Sequence, residues 1–442
     1  MSGLGLRECF QGPDTRSSHQ QVDGVETVFE DLKAYPRAFK VLFASALIEN
    51  TAFGLIIPFL TLYMQNELKI EQVLMGVVLM GYTLSGIPAM IVGGFLADRI
   101  GRRTVLLMSL GMMSLTILLY FYAFNFYTMF AVALADSFVG SMYMPAANAM
   151  IADVIPPPQR PKAFSMLRIG WNVGIVFGPV VGAAIVAAYS IRILFVFGAG
   201  ILFSAFIMNL IYIPETKPKD TGEEVTFKKV VAVASDKPFL LLCILTAVFF
   251  FYFSQWISVL PIYSTGELGL EEYSFGLLFA VSAIMVVLFQ IPVTSRTERY
   301  RRSATLLLGQ GIGAFGFGLI FLAWDFYSLL ACIIVITVGE LFYMSIVGTI
   351  IADMSPESRR GIYMGFSGFV QTLGQGIGFF FGMWFYGVLT DKSYIWLAFA
   401  LIGFIACAGY APFAKMIGPE KDRPHHLEPA PIKEIPAISL ER

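Results

Sequence analysis

Twelve apolar stretches, each about the length of one bilayer crossing, constrain this chain more than anything else in it. They lie at about 38–64, 73–97, 104–124, 128–151, 164–188, 192–213, 239–263, 273–294, 304–323, 327–351, 362–388 and 393–416. A helix needs roughly 20 apolar residues to cross the hydrocarbon core. Open sheet edges are too costly in lipid, so each stretch is predicted to be helical. Composition agrees. Of 442 residues, 57% are hydrophobic and 14% charged, where soluble domains carry roughly 25% charged. That excludes a secreted disulfide scaffold, a nucleic-acid binder and a disordered chain. A net charge of −1 offers nothing to a polyanion.

The polar segments divide the chain. Residues 1–36 form a mixed tail without a short apolar run, so it does not read as a signal peptide. A first six-helix bundle is expected over 37–213 and a polar linker over 214–237. A second bundle follows over 238–416, then a proline-rich tail over 417–442 that reads as disordered. With an even number of spans both tails share one side, and that side holds 26 of the 30 Lys and Arg residues. Lys69, Arg192 and Lys392 lie on the other side and Arg168 within a helix. Basic loops face the cytoplasm, so both termini and the linker are expected there, in a multi-pass protein of the cytoplasmic membrane.

The halves repeat at an offset of 200. Ile151-Ala152-Asp153 falls on Ile351-Ala352-Asp353, and Arg99 and Arg102 fall on Arg299 and Arg302. Gly174, Gly178 and Gly182 fall on Gly374, Gly378 and Gly382. Matches at Asp, Arg and Gly hold one register over roughly 120 residues, which chance alignment of Leu-rich helices does not produce. Parallel six-helix halves with a site between them near the midplane are a transporter architecture. An all-α membrane protein of two pseudo-symmetric six-helix bundles is expected.

Between the second and third stretches stands Gly94-Phe-Leu-Ala-Asp98-Arg99-Ile-Gly101-Arg102-Arg103. This resembles the GxxxDRxGRR loop of the major facilitator superfamily. The resemblance spans about 38–416 and implies that the loop shuts the cytoplasmic side when the transporter faces outward. Asp98 is then expected opposite a helix N-terminus, whose dipole favours negative charge. Asp153 and Asp353, beside Arg160, Arg359 and Arg360, are expected to pair with Arg102 and Arg302. The second copy, Thr297-Glu298-Arg299-Tyr300-Arg301-Arg302, lacks the turn glycine. In the fifth stretch, Gly170-Trp-Asn172-Val-Gly174-Ile-Val-Phe-Gly178-Pro179-Val-Val-Gly182-Ala183 resembles the GxxxGPxxGG motif of the superfamily's proton-coupled drug antiporters, with Ala183 replacing the last glycine. Small residues four apart let helices pack closely, and that is the plainer reading of the same stripe.

Three carboxylates fall inside predicted spans: Glu49, Asp136 and Glu340. A charge at mid-bilayer costs at least ~2.5–3.5 kcal/mol, so each is a candidate for function, here proton coupling. Glu49 and Glu340 sit where drug antiporters of the superfamily carry acids. Asp136 departs from it, since the family's helix-4 motif often has an arginine there. The alternative for each is a protonated acid hydrogen-bonded to a neighbouring helix. Aromatic and amide side chains suited to apolar or cationic substrates make Asn50, Phe53, Tyr143, Asn172, Tyr252, Gln255, Trp256, Tyr343, Gln371 and Gln375 candidate cavity residues. Aromatics facing lipid are the alternative.

Other chemistries lack their residues. His19, His425 and His426 lie in the tails, and Cys9, Cys243, Cys332 and Cys407 are scattered without metal spacing. Gly311-Ile-Gly313-Ala-Phe-Gly316 satisfies GxGxxG inside a helix, with no strand before it, so it is no dinucleotide site. No Walker motif or nucleophilic triad occurs, and the ExxER signature of peptide symporters is missing. The reading is a secondary transporter, not an enzyme, without cofactor or metal, monomeric, working on a small molecule and protons amid lipid. Proton-coupled efflux of lipophilic or cationic compounds is favoured. An uptake symporter for a sugar or organic acid, or a transport-inactive sensor, is the alternative.

Overall fold

The computed structural model describes residue 32 and residues 35–156, 159–216, 233–297, 299–356 and 359–422. Most of the N-terminal tail, Asn-free linker positions 217–232, Glu298 and the tail from 423 lie outside the described residues, as do Cys9 and the three histidines. The first six spanning helices are α1 (Arg37–Leu62), α2 (Gln72–Ile100), α3 (Arg102–Phe121), α4 (Phe126–Val154), α5 (Arg160–Ala188) and α6 (Ile193–Tyr212). The second six are α7 (Lys237–Gly266), α8 (Glu272–Thr297), α9 (Arg302–Leu322), α10 (Phe326–Met354), α11 (Arg360–Val388) and α12 (Tyr394–Ala408). A further helix, α13 (Tyr410–Asp422), continues from α12 with a left-handed turn at Gly418, so helical structure runs past the expected end at 416.

Among the described residues eleven helices are long and apolar enough to cross a membrane, and α11 is not among them. It spans 29 residues, but Ser367, Gln371, Thr372 and Gln375 dilute its apolar character. Two helices are also broken where none was expected. In α4 the chain turns at Ser141 and Met142, and in α7 a short 3-10 turn occupies Ser254–Trp256.

The internal repeat is visible in atomic detail. Asn125 and Thr128 form a reciprocal capping box at the start of α4, and Asp325 and Ser328 form the same box at the start of α10. Such caps satisfy the open N–H groups of a first turn. A Cβ on Gly174 would strike the Leu47 carbonyl, and one on Gly374 would strike that of Ala247, 200 residues on. The glycine stripes of α5 and α11 therefore serve close packing against α1 and α7. Gly178 and Gly182 lie against Gly54 and Leu55 and continue the same contact, with Pro179 beside Gly54.

The halves meet on the face away from the loop at 98–103. There Gly76 lies against Phe380 and Met383, Gly376 against Thr83 and Leu84, and Gly276 against Phe59, Ala183 and Pro179. Asn66 donates to Glu272 across the same boundary at 2.5 Å. Followed toward the loop side, these stripes come apart. Ile91 and Phe95 on α2 are 74% and 60% exposed, Ile291 on α8 is 74% exposed, and a Cβ on Gly365 of α11 would meet nothing within 4 Å. The molecule is closed on one face and cleft on the other.

Candidate functional site

α1 and α4 bring two of the three acids to one place. Glu49, Phe53, Tyr82, Tyr120 and Asp136 line a cavity inside the first bundle, walled otherwise by apolar side chains such as Ile56, Met113 and Leu202. Its volume is ≈30 Å³, room for a water or two. Asp136 is buried and accepts hydrogen bonds from Thr116 at 2.7 Å and Tyr120 at 3.5 Å. Glu49 differs: its Oε2 is buried without a hydrogen-bond partner among the described residues. Among the described residues no cation lines the cavity. Phe53 is 42% exposed and carries the lining toward open space.

From sequence, Glu49, Glu340 and Asp136 are three separate proton-coupling candidates. The cavity joins Glu49 to Asp136, and Glu340 is not part of its lining. Glu340 follows Gly339, which packs against Gly309 and Gly313 of α9. No hydrogen bond or ion pair holds its carboxylate among the described residues.

Several candidate cavity residues are packing residues here, which corrects the expectation. Tyr343 is fully buried, donates to Thr246 at 3.1 Å, accepts from Tyr410 at 3.2 Å and stacks on Phe249 with ring centroids 3.8 Å apart. Tyr252 is fully buried and donates to the Gln310 carbonyl at 3.4 Å. Gln255 is fully buried and donates to the Gly378 carbonyl at 2.9 Å, pinning α7 to α11. Burial of an amide demands such partners, and the chain supplies them within one bundle. Trp256 stacks on Phe279 and is 6% exposed. Asn50 turns its amide back to the Ala46 carbonyl, and Gln371 donates to Ser367; Gln375 is half-buried. Tyr143 is buried with its hydroxyl unpartnered among the described residues. The side chain of Asn172 lies outside the described residues.

The loop at 98–103 is built around Arg102. Its guanidinium reaches Asp98 at 2.8 Å, Asp153 at 3.2 Å and the Ala97 carbonyl at 2.6 Å. Gly101 holds φ 109, a conformation side chains with a Cβ rarely adopt. In the other half Arg302 pairs with Asp353, but Arg301 stands in extended conformation where the first loop has its glycine. Arg160 donates to the Ala152 and Ile155 carbonyls at the end of α4. Asp98 is 52% exposed and held by its own loop. It is not docked on a helix of the other half, because the halves are parted on that face. Gly94 leaves room there, with only Pro145 within 4 Å of an added Cβ, and Arg99 lies over the Phe95 ring.

The family model described as Major Facilitator Superfamily matches residues 42–291 and 246–441. The chain belongs to the Major Facilitator Superfamily. Among its relatives is a Na(+), Li(+), K(+)/H(+) antiporter of Planococcus maritimus, 26% identical over 83% of this chain and 97% of that protein. The quinolone resistance protein NorA of Staphylococcus aureus (strain COL) is 23% identical over 79% of this chain and 89% of its own length. In structure, a POT family transporter solved with 5-aminolevulinic acid superposes with TM-score 0.74 at 15% identity, covering 88% of this chain and all of that one. This facilitator is thus a multi-pass membrane transporter with the superfamily's twelve-helix fold.

The Glu49–Asp136 convergence was not visible in sequence, because 87 positions separate the two acids and helix periodicity does not say which faces meet. Tyr82, Tyr120 and Thr116 were missed for the same reason; as isolated polar groups in apolar spans they gave no pattern.

Proposed function

We propose that this facilitator is a proton-coupled efflux transporter that exchanges inward-moving protons for a lipophilic or cationic small molecule. One observation carries the reading: two carboxylates, Glu49 and Asp136, share a small cavity that no cation among the described residues lines. Such a site disfavours two bare charges and takes up a proton readily. A substrate cation or a change of shape would then expel it. A proton entering down the membrane potential supplies ~2.3 kcal/mol per 100 mV. The excess of Lys and Arg on the loop side puts that face in the cytoplasm, so the cleft described above faces inward. The loop at 98–103 would close it in the opposite state, and Asp98 would then find its partner on the other half. Similarity to a quinolone resistance protein supports a drug-like substrate, and similarity to the Na(+), Li(+), K(+)/H(+) antiporter supports exchange with protons.

Exchange of an alkali cation for protons is a second reading, favoured by the all-oxygen polar lining of the cavity and the Planococcus relative. Purified protein in proteoliposomes with an imposed pH gradient separates them. Uphill movement of ethidium supports the first reading, and movement of Na⁺ or K⁺ without ethidium supports the second. Symport of a sugar with protons, or no flux of any of these, would overturn both.

A further inference from the structure

Each bundle ends by sending a carboxylate back to the loop that follows its second helix. In the first bundle Glu215, just past α6, accepts the Arg103 backbone N–H at 3.3 Å, and its carboxylate occupies the place a Cβ on Gly101 would take. The neighbouring Thr216 hydroxyl donates to Asp153 at 3.0 Å. In the second bundle Asp422, at the end of α13, accepts the Ser303 N–H at 2.8 Å. Arg103 and Ser303 are register partners, and both N–H groups belong to the open first turn of the third helix of a bundle. A carboxylate is favoured there by the free donors and by the helix dipole.

The two carboxylates are not copies of one another. The 200-residue register places Glu215 opposite Lys415, and Asp422 arrives only because Gly418 adopts φ 75 and turns the chain. Glu215 is exposed, whereas Asp422 is 5% exposed. Different routes thus deliver the same group to the same place. The second loop, which lacks the turn glycine, is the one that receives the buried carboxylate.

We propose that Glu215 and Asp422 are positioning residues of the gate. By holding the first turn of α3 and of α9, they aim Arg102 and Arg302, each one residue earlier, at Asp153 and Asp353. The segments that leave α6 and α12, which continue into the central linker and the C-terminal tail, are thereby parts of the gate rather than passive connections. The inference rests on the reading of these loops as the cytoplasmic gate.

The test is chosen so that the two ideas fail separately. A single cysteine replaces Gly365, on the α11 stripe that borders the cleft, in a background whose native cysteines are changed to serine or alanine. Its alkylation by a water-soluble maleimide is followed in proteoliposomes with and without an imposed pH gradient. Asp422→Ala is expected to change the alkylation rate about fivefold, the scale set by loss of a helix cap, and Asp422→Asn, which keeps an acceptor, about twofold. Arg302→Ala is expected to act at least as strongly as Asp422→Ala. If Arg302→Ala acts while Asp422→Ala and Asp422→Asn both behave as wild type, the positioning role is wrong and the gate reading stands. If Arg302→Ala also behaves as wild type, the gate reading falls and takes this inference with it. Should Asp422→Ala not yield folded protein, Asp422→Asn decides alone: a changed rate supports the role and an unchanged one overturns it.

Discussion

Under the proposed coupling, the residue-scale problem is a buried carboxylate with no cationic partner among the described residues. Glu49 has a buried, unpartnered oxygen, whereas Asp136 is satisfied by two hydroxyls. Glu49→Gln keeps the shape and removes the titration. It is expected to abolish uphill flux driven by a pH gradient while substrate binding, read by tryptophan fluorescence, partly survives. Glu340→Gln is expected to do the same if the second half also carries a proton, and Asp136→Asn to be milder, since an amide still accepts from Thr116. Uphill flux in the double variant Glu49→Gln/Glu340→Gln would make both acids packing or substrate-contact groups. A second residue-scale prediction concerns Gly382. An added Cβ would overlap the Gln255 amide, so Gly382→Ala is expected to lower stability by ~1–3 kcal/mol, the usual cost of overpacking. Gln255→Ala should rescue part of that loss in a double-mutant cycle; additive melting shifts in detergent would refute the contact. Gln255 also shows where sequence reading stops. An amide in an apolar span is conspicuous, but its periodicity names a helix face and not the neighbour. Here the neighbour is a glycine 127 positions away rather than a substrate.

At the scale of elements, function lies in what opens and closes. The pair Asn66–Glu272 joins the ends of α1 and α8 on the closed face, and the proposed efflux requires that face to part. Cysteines at both positions, oxidised to a disulfide, are expected to stop transport, with full recovery on reduction. Undiminished transport by the cross-linked form would mean that this contact need not break. On the opposite face, Asp98→Asn removes a half-exposed charge whose pair with Arg102 is worth ~1 kcal/mol or less. Folding should therefore survive while turnover falls strongly, because the charge is needed in the closed state of that gate; normal turnover in vesicles would reject the role. Most element boundaries were legible to within a few residues, since apolar runs end at charges and caps. The breaks in α4 and α7 were not. Each lies one turn before a proline, Pro145 in α4 and Pro261 in α7, which has no N–H for the carbonyl four residues back, that of Ser141 or Ile257; the apolar pattern runs unbroken across both.

Across the whole molecule the two halves share a frame and differ in what fills it. Tyr343 finds Thr246 and Tyr410, while at the register positions of those partners the first half has Ala46 and Leu210, and the Tyr143 hydroxyl is unpartnered among the described residues. Buried polar atoms without a partner among the described residues remain in both bundles, Glu49 and Tyr143 in the first and Gln310 and Trp396 in the second, so the halves differ in which groups they leave open. The offset of 200 made the frame readable from sequence, because glycines, arginines and aspartates must recur where backbones touch and charges pair. Such differences depend on substitutions of single residues, which a repeat search passes over. One feature of the frame bears on how the protein is made. The helix α11 is less apolar than the other spans, and insertion depends on summed apolarity; it lies against α2, which is synthesised some 290 positions earlier. Its residence in the bilayer is therefore expected to rely on neighbours already in place. A ribosome-bound nascent chain halted after α11 should leave that segment largely outside the membrane until the rest of the bundle recruits it.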